Sequence, residues 1–225
     1  MTVTNSILWN NSSPRGKEIN LGGNQYHSAS VTISHSDVEG GQSSVYVESG
    51  CTLNWGTGII DADPLFADAP SYDFHITWSS PCRDAGDNSS VTETGDFEGD
   101  PRIVATTVDI GADEYCFHTY HIGRIIPGST IDIKVVGWPT APVTLAFNDS
   151  IIDPPLSTQY GDLYLSWPPL WHGYVGKVPS DGILTLPVTV PAGLNPGDVG
   201  YLQSLIGPWG APYTRLSNLL TLTGK

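Results

Sequence analysis

The sequence predicts an all-β protein with two domains, and three observations favour this class. The chain of 225 residues contains 25 Gly and 18 Pro but only 14% charged residues, a composition typical of short strands joined by many turns. Residues 1–115 contain a faint repeat of β-branched residues. Residues 116–225 alternate apolar and polar side chains with the period of two that a half-buried strand requires.

The charge of the chain is acidic and unevenly distributed. The net charge of −14 excludes nucleic acid as the expected partner, because phosphate binding needs clustered Lys and Arg. Residues 1–115 contain 17 acidic and four basic residues, whereas residues 116–225 contain six and five. This asymmetry predicts a domain boundary near residue 115.

The repeat in the first half predicts a solenoid. The run Val3-Thr4-Asn5-Ser6 is similar to Val31-Thr32-Ile33-Ser34, which lies 28 residues later, and Ile59-Ile60-Asp61 follows after a further 28 residues. Periods of 20 to 50 residues are typical of solenoids. Because each copy is a short β-branched run followed by Asn, Asp or Gly, we expect a short right-handed parallel β-helix over residues 1–115.

Six motifs in the first half resemble, in order, the last turns of a known family. The family is that of bacterial surface proteins with right-handed parallel β-helix repeats, whose series closes with a tail of the type DPLF, SPxxDAG, DxxGxPR and DIGAxE. The resemblance covers residues 2–115 and implies a fold and a cell-surface or extracellular location but no activity. Its motifs in this chain are VTNSILWNN, VTISHSDVEGG, GIIDADPLF, YDFHITWSSPCRDAGD, DFEGDPRI and VDIGADEY.

The chain departs from that family in the number of turns, or rungs, that precede the tail. The family has many, and about two are present in this sequence. Because the first rung of a solenoid has unpaired backbone groups, we expect another copy of the chain, or the rest of a longer precursor, to cover it. The predicted function is therefore structural, as a subunit of a cell-surface or filamentous assembly. The N-terminus lacks the pattern of a signal peptide, so export predicts a longer or processed chain, and no apolar run reaches the ~20 residues of a transmembrane helix.

Alternating strands and turn signals in the second half predict a β-sandwich. Apolar residues alternate around Ile133, Leu145, Leu165 and Leu186, and the runs IGRII, YLQSLI and LSNLLTL bring the number of expected strands to about seven. Runs such as GWPTAP, IDPPL and WPPLW separate them as turns. We therefore expect an immunoglobulin-like sandwich, without the Cys-Trp-Cys pattern of antibody domains, over residues 116–225.

The segment of residues 84–114, which we call the acidic tail, is the first candidate site. It contains nine carboxylates and one base, Arg102, among turn residues. Calcium takes six to eight oxygen ligands, and the predicted ligands are Asp84, Asp87, Asp96, Asp100 and Asp109. The alternative is that these side chains cap turns and that Arg102 pairs with one of them.

Other chemistry has weaker support, and no enzymatic activity is predicted. Asp61 and Asp63 have the spacing of an acid and base pair, which keeps a polysaccharide hydrolase or lyase fragment as the minority alternative, but a turn before Pro64 explains them equally. The run Cys116, His118 and His121 matches no standard zinc spacing. Together with Cys51 and Cys82, Cys116 allows at most one internal disulfide, with all three pairings open.

An aromatic loop in the second half is the candidate carbohydrate site. Trp167, Trp171 and Tyr174 lie within eight residues, and exposed aromatic rings stack on sugars. The alternative is that they belong to the sandwich core or to a subunit contact. A carbohydrate-binding or carbohydrate-cleaving module of a longer β-helix protein is accordingly the second predicted function, with polysaccharide as the partner.

Overall fold

The computed structural model describes residues 1–24, 26–104, 106–208 and 214–225. The protein is all-β, and its helices in the described residues are three short 3-10 turns, Gly41–Ser44, Ala69–Ser71 and Asn88–Ser90. None of the helices in this described part of the chain has the length and hydropathy that crossing a membrane requires. The chain divides into two compact units, Met1–Tyr115 and Cys116–Lys225.

Unit 1 contains nine short strands. They are β1 Thr2–Thr4, β2 Ile7–Leu8, β3 Ile19–Leu21, β4 Ser30–Ser34, β5 Asp37–Val38, β6 Val45–Val47, β7 Thr52–Trp55, β8 Phe66–Asp68 and β9 Asp73–Ile76. The first seven pair in parallel, in the order β1-β4-β7, β2-β5 and β3-β6. The strands β8 and β9 form an antiparallel pair. Each sheet is small, with two or three strands.

The parallel register differs from the 28-residue repeat that the sequence predicts. Val3 lies opposite Ile33, an offset of 30 residues, and not opposite Val31. The third copy is also displaced, because β7 is the third strand of the first sheet whereas Ile60 bridges to Asp37 of the second. The predicted register aligned similar letters, whereas the structure aligns the buried face: Ile33 is fully buried and Val3 is its inward-facing neighbour. Both offsets are even, so the repeat assigned the correct residues to the inside.

The acidic tail folds back onto the first strands. The Asn5 side chain accepts a hydrogen bond from the Asp87 amide at 2.8 Å and donates one to the Asp87 carbonyl at 3.0 Å. The Gly111 amide donates to the Asn5 carbonyl at 3.1 Å. These bonds bring the apolar residues of the tail into the core of unit 1, which includes Val31, Ile33, Val38, Ile76, Cys82, Val108 and Ile110.

Unit 2 contains ten strands in its described residues. They are β10 Thr119–Ile122, β11 Thr130–Val136, β12 Pro142–Asn148, β13 Ile151–Thr158, β14 Gly161–Leu165, β15 Trp171–Lys177, β16 Ile183–Thr189, β17 Val199–Ile206, β18 Arg215–Leu216 and β19 Leu220–Thr223. One antiparallel sheet has the order β10-β11-β16, and a second contains β15, β12, β17, β18 and β19. The strands β13 and β14 form a separate hairpin.

The two larger sheets of unit 2 share one apolar core. Ile133 and Val135 from β11 are fully buried, as are Val143 from β12 and Ile206 from β17. These residues occupy alternate positions of their strands, which is the pattern that the sequence predicts. Since both inner faces contribute to one cluster, the sheets pack face to face.

Two strands of unit 2 differ from the predicted ones for identifiable reasons. The run IDPPL, predicted as a turn, lies in β13, where the register shifts between Ile151 and Leu156 and the prolines occupy the irregular part. Such an irregularity accepts residues that lack an N–H group. The strand β15 contains Gly173 and Gly176, which interrupt its apolar alternation. The predicted strand IGRII lies almost entirely after β10, which ends at Ile122.

The Asn5 side chain is predicted to hold the tail to the first rung. Asn5→Ala removes two hydrogen bonds and places Ala at a φ of 47°, so we expect the free energy of unfolding to fall by roughly 2–4 kcal/mol in urea denaturation. The matched control is Asn10→Ala, at an exposed residue with a φ of 58°, which should cost about 1 kcal/mol. Equal losses for the two variants would contradict this role of the side chain.

Candidate functional site

Asp96 organises the first turn of the acidic tail. Its Oδ1 accepts hydrogen bonds from the amides of Glu98, Gly99 and Asp100 at 2.9, 2.9 and 3.0 Å, and its Oδ2 accepts one from the Glu114 amide at 3.2 Å. A carboxylate that accepts several backbone N–H groups replaces the ladder that a strand would supply. Asp96 therefore stabilises a turn and joins it to the end of the tail.

Asp109 has the same role in the interior of unit 1. It is 1% exposed, and its two oxygens accept hydrogen bonds from the amides of Asp84 at 2.5 Å and Tyr115 at 2.6 Å. Burial raises the pKa of Asp109, and these two hydrogen bonds oppose that shift. The Asp84 carboxylate is 43% exposed, and one of its oxygens lies 3.8 Å from Nε of Arg83.

Asp87 caps the 3-10 turn Asn88–Ser90. Its carboxylate accepts hydrogen bonds from the Ser89 amide at 2.9 Å and from the hydroxyls of Ser89 and Ser90 at 2.7 Å each. The hydrogen bonds from Ser90 and Ser89 lower the pKa of Asp87. This arrangement is the turn-capping alternative for an Asp in the tail.

The five predicted calcium ligands do not converge on one point. Among the described residues, no three of these carboxylates place oxygens within 4.8 Å of one another. A calcium cage needs six to eight oxygens around a single ion, and the oxygens of Asp87, Asp96 and Asp109 are occupied by backbone or hydroxyl donors. The residues therefore do not fit one calcium site, and calcium binding stays a prediction for direct metal-binding measurements.

Glu114 and Arg102 form the buried ion pair of the tail. Glu114 is 1% exposed and accepts hydrogen bonds from Arg102 Nη1 at 3.1 Å, the Val104 amide at 2.8 Å and the Asp109 amide at 2.9 Å. Arg102 Nη2 also donates to the Gly111 carbonyl at 2.6 Å. Burial raises the pKa of Glu114 to about 7, although its hydrogen bonds and Arg102 oppose the shift. The lone base of the tail thus binds a carboxylate that was not among the predicted ligands.

His75 lies between two carboxylates that the sequence analysis did not select. It is 7% exposed, with Nδ1 at 2.6 Å from an Asp73 oxygen and Nε2 at 3.1 Å from a Glu98 oxygen. Burial lowers its pKa, but the hydrogen bonds to Asp73 and Glu98 outweigh this effect and raise it to about 10. The signal in the sequence is the spacing Asp73-Phe74-His75, which places the first and third side chains on the same, buried side of β9.

An aromatic cleft of about 560 Å³ opens beside these carboxylates in unit 1. Its walls include the rings of Trp9, Phe66, Phe74 and Phe97, and Asp113 also lines it. Asp113 is 7% exposed, and its Oδ1 has no hydrogen-bond partner among the described residues. Burial raises the pKa of Asp113 to about 7.

The remaining acid and cysteine candidates have structural contacts. Asp61 accepts a hydrogen bond from the Gly40 amide at 2.9 Å and Asp63 one from the Leu65 amide at 2.9 Å, so both stabilise turns. The thiol of Cys82 donates to Asp37 at 3.2 Å. All three cysteines are free, and Cys116, His118 and His121 do not bring three ligand atoms within 4.8 Å in the described part of unit 2.

The three aromatic residues of the predicted carbohydrate site do not share one face. Trp171 lies opposite Phe147 on β12 and faces the space between the two sheets, where it lines an apolar cleft of about 620 Å³. Tyr174 lies on the other face of β15, together with His172, whose ring is 6.2 Å from that of Trp167. Trp167 and Tyr174 are 68% and 63% exposed, so neither belongs to the core.

Comparisons with known proteins return no assignment. No model of a known protein family matches this chain, and no curated protein sequence matches it at a significant level. The fold defines the class of the protein as all-β with two units. The likeness of residues 2–115 to β-helical surface proteins stays an expectation from the six motifs.

We predict that the free energy of unfolding declines between pH 7.5 and 10 because His75 loses its proton. The pKa of His75 is about 10 in the folded protein and about 6.5 in the unfolded chain, so its stabilisation is complete below pH 6.5 and is lost as the pH rises through 10. Urea denaturation across this range should show a shallower decline in His75→Gln than in the parent. His172→Gln, at an exposed histidine, is the control and should leave the decline unchanged. Identical profiles for the parent and His75→Gln would rule out a charged His75.

Proposed function

We propose that the protein is an extracellular structural protein, a subunit of a cell-surface or filamentous assembly. In this proposal residues 1–115 are the end of a right-handed parallel β-helix and residues 116–225 are an immunoglobulin-like sandwich. The parallel pairs β1-β4-β7, β2-β5 and β3-β6 support the first part, since the chain returns three times to the same sheet. The common core of two antiparallel sheets supports the second.

The observation that carries the proposal is that the β1-β4-β7 sheet has a free edge at both ends. The Thr52 and Gly56 amides donate to the carbonyls of Ala29 and Ile33 in and beside β4. Alternation along a parallel strand therefore directs the amides of Leu53 and Trp55 away from β4. At the opposite end β1 pairs with β4 alone among the described strands. A second copy can place its β1 beside β7 and continue the ladder in the same direction.

The composition of these edges distinguishes them from the edges of unit 2. Proteins protect exposed edges with Pro, charged residues and bulges. The edge strand β16 contains Pro187, and the edge strand β15 contains Lys177 and a register shift opposite Val143 and Thr144. The strands β1 and β7 contain neither Pro nor a charged residue. Association through unit 1 is thus better supported than strand exchange at the apolar cleft of unit 2.

Pairing of β7 with the β1 of a second copy is a head-to-tail contact. Such a contact repeats without closing unless its rotation forms a ring, so it produces filaments. Unit 1 carries four basic and 17 acidic residues, a net charge of 4 − 17 = −13, which opposes the approach of two copies. Salt screens this repulsion, and the assembly should therefore be favoured at high ionic strength.

We predict that a pair of charges placed across the contact controls the association. Thr2, Thr32 and Asn54 form one exposed column of side chains along the sheet, with Thr2 opposite Thr32 and Thr32 opposite Asn54. In the assembly Thr2 of one copy follows Asn54 of the next. Lysine at both residues, Thr2→Lys with Asn54→Lys, should weaken association at least tenfold in sedimentation velocity at low salt.

The charge-reversed partner is the matched control for this experiment. Thr2→Lys with Asn54→Glu replaces the repulsion by an attraction in the same column, so association should return to the parent level or exceed it. A parent that remains monomeric at millimolar concentration and high salt would refute assembly through these edges. Equal association of the two double variants would refute this register.

Carbohydrate binding is the second candidate function, and the exposure of Trp167 and Tyr174 favours it. Their rings are 68% and 63% exposed, which leaves their faces available for stacking on sugars. Trp167→Ala and Tyr174→Ala should each reduce the retention of the folded protein on immobilised polysaccharide at least fivefold. Tyr72→Ala, at a residue that is 84% exposed in unit 1, is the control. Unchanged retention in both variants would refute this candidate.

A further inference from the structure

The aromatic cleft of unit 1 has the dimensions of a small-molecule site. Its volume of about 560 Å³ falls in the range of ligand pockets. Phe66 and Phe74 form an edge-to-face corner, with ring centroids 5.3 Å apart. Phe74 and Phe97 remain 53% and 66% exposed, and Ile7 and Ile110 complete the apolar lining. The cleft thus offers several ring faces to a ligand with an apolar body.

The neutral polar side chains of the cleft already have partners within the protein. Asn5 binds both backbone groups of Asp87. Asn11 donates to Glu18 at 2.6 Å, and the Ser6 hydroxyl donates to the Thr4 carbonyl at 2.8 Å. A sugar needs several hydrogen-bonding groups around its hydroxyls, and these side chains are committed elsewhere. A neutral polyol is therefore a poor fit.

Asp113 is the exception among the polar residues that line the cleft. It is 93% buried, and its Oδ1 lacks a hydrogen-bond partner among the described residues. A buried acceptor without a donor costs free energy, which a ligand donor would recover. The charges around it are those of Asp96, Glu98 and Asp109, opposed by His75. This surrounding potential favours a cationic donor and excludes an anionic ligand.

We infer that the cleft binds a primary ammonium group carried on an apolar chain or ring, with Asp113 as the acceptor of its N–H groups. The aromatic rings pack against the hydrocarbon and attract the cation through their faces. Two sources have this chemistry: a free amine with an apolar body, and the side chain of a lysine in a peptide. The inference is independent of the proposed assembly through β1 and β7.

Ligand-observed NMR titration of the full chain tests this assignment with phenethylamine. We expect saturable binding, with 2-phenylethanol at least tenfold weaker because it has the same ring but no cation. Asp113→Asn should weaken phenethylamine binding at least tenfold, and Phe97→Ala at least threefold. Glu93→Gln removes one exposed negative charge from the same tail and is the matched control, with unchanged affinity expected. Because Phe97 is 66% exposed, its variant should keep the fold if Asp113→Asn does not.

Two further arms identify the source of the amine. Tighter binding of an acetylated lysine peptide than of phenethylamine indicates a protein partner, and the reverse order indicates a free amine. Equal affinities for the amine and the alcohol, unchanged affinity in both cleft variants, or the absence of saturation by 10 mM phenethylamine would each overturn the inference.

Discussion

The pairing of backbone N–H and C=O groups is the constraint on which the structure of this protein depends. A chain with few helices and many short strands must satisfy these groups in other ways. Unit 2 does so with antiparallel ladders in two sheets. Unit 1 does so with parallel ladders over its first half and with side chains over its acidic tail. The free edges of β1 and β7 are the places where the same requirement remains open to a second chain.

The carboxylates of the acidic tail are best understood as replacements for a ladder. Asp87, Asp96 and Asp109 each accept two or more hydrogen bonds from backbone amides or hydroxyls, and Glu114 adds the ion pair with Arg102. A dense run of Asp suggests a cation when only the sequence is known, because the partner of each oxygen is invisible. The structure assigns most of those oxygens to turns. Concentrated charge in this tail therefore reflects a need for acceptors more than a need for metal.

Sequence reasoning identified the local periodicities and failed where contacts join distant residues. The alternation around Ile133, Leu145 and Leu186 identified strands of unit 2, since one face of each is buried. The repeat in unit 1 assigned inward residues correctly but chose an offset of 28 instead of the observed 30 between Val3 and Ile33. The pairs Asn5 with Asp87 and Arg102 with Glu114 leave no periodic signal.

The candidate sites show the same limit. Trp167, Trp171 and Tyr174 are close in sequence, yet the alternation of β15 separates Trp171 from Tyr174 because three residues is an odd spacing on a strand. Asp113 attracted no attention as one of nine acids in the tail. Only its burial beside the aromatic rings of distant segments distinguishes it.

The parallel edges make one demand that no other feature of the molecule makes. If copies join through β1 and β7, the outward amides of both strands must acquire acceptors at the same time. Hydrogen–deuterium exchange over a concentration series measures this directly. The account predicts that the amides of Thr2, Thr4, Leu53 and Trp55 become protected together as concentration rises, while those of β15 and β16 do not change. Protection of the β15 and β16 edges, or rapid exchange at both ends of the parallel sheet at every concentration, would contradict it.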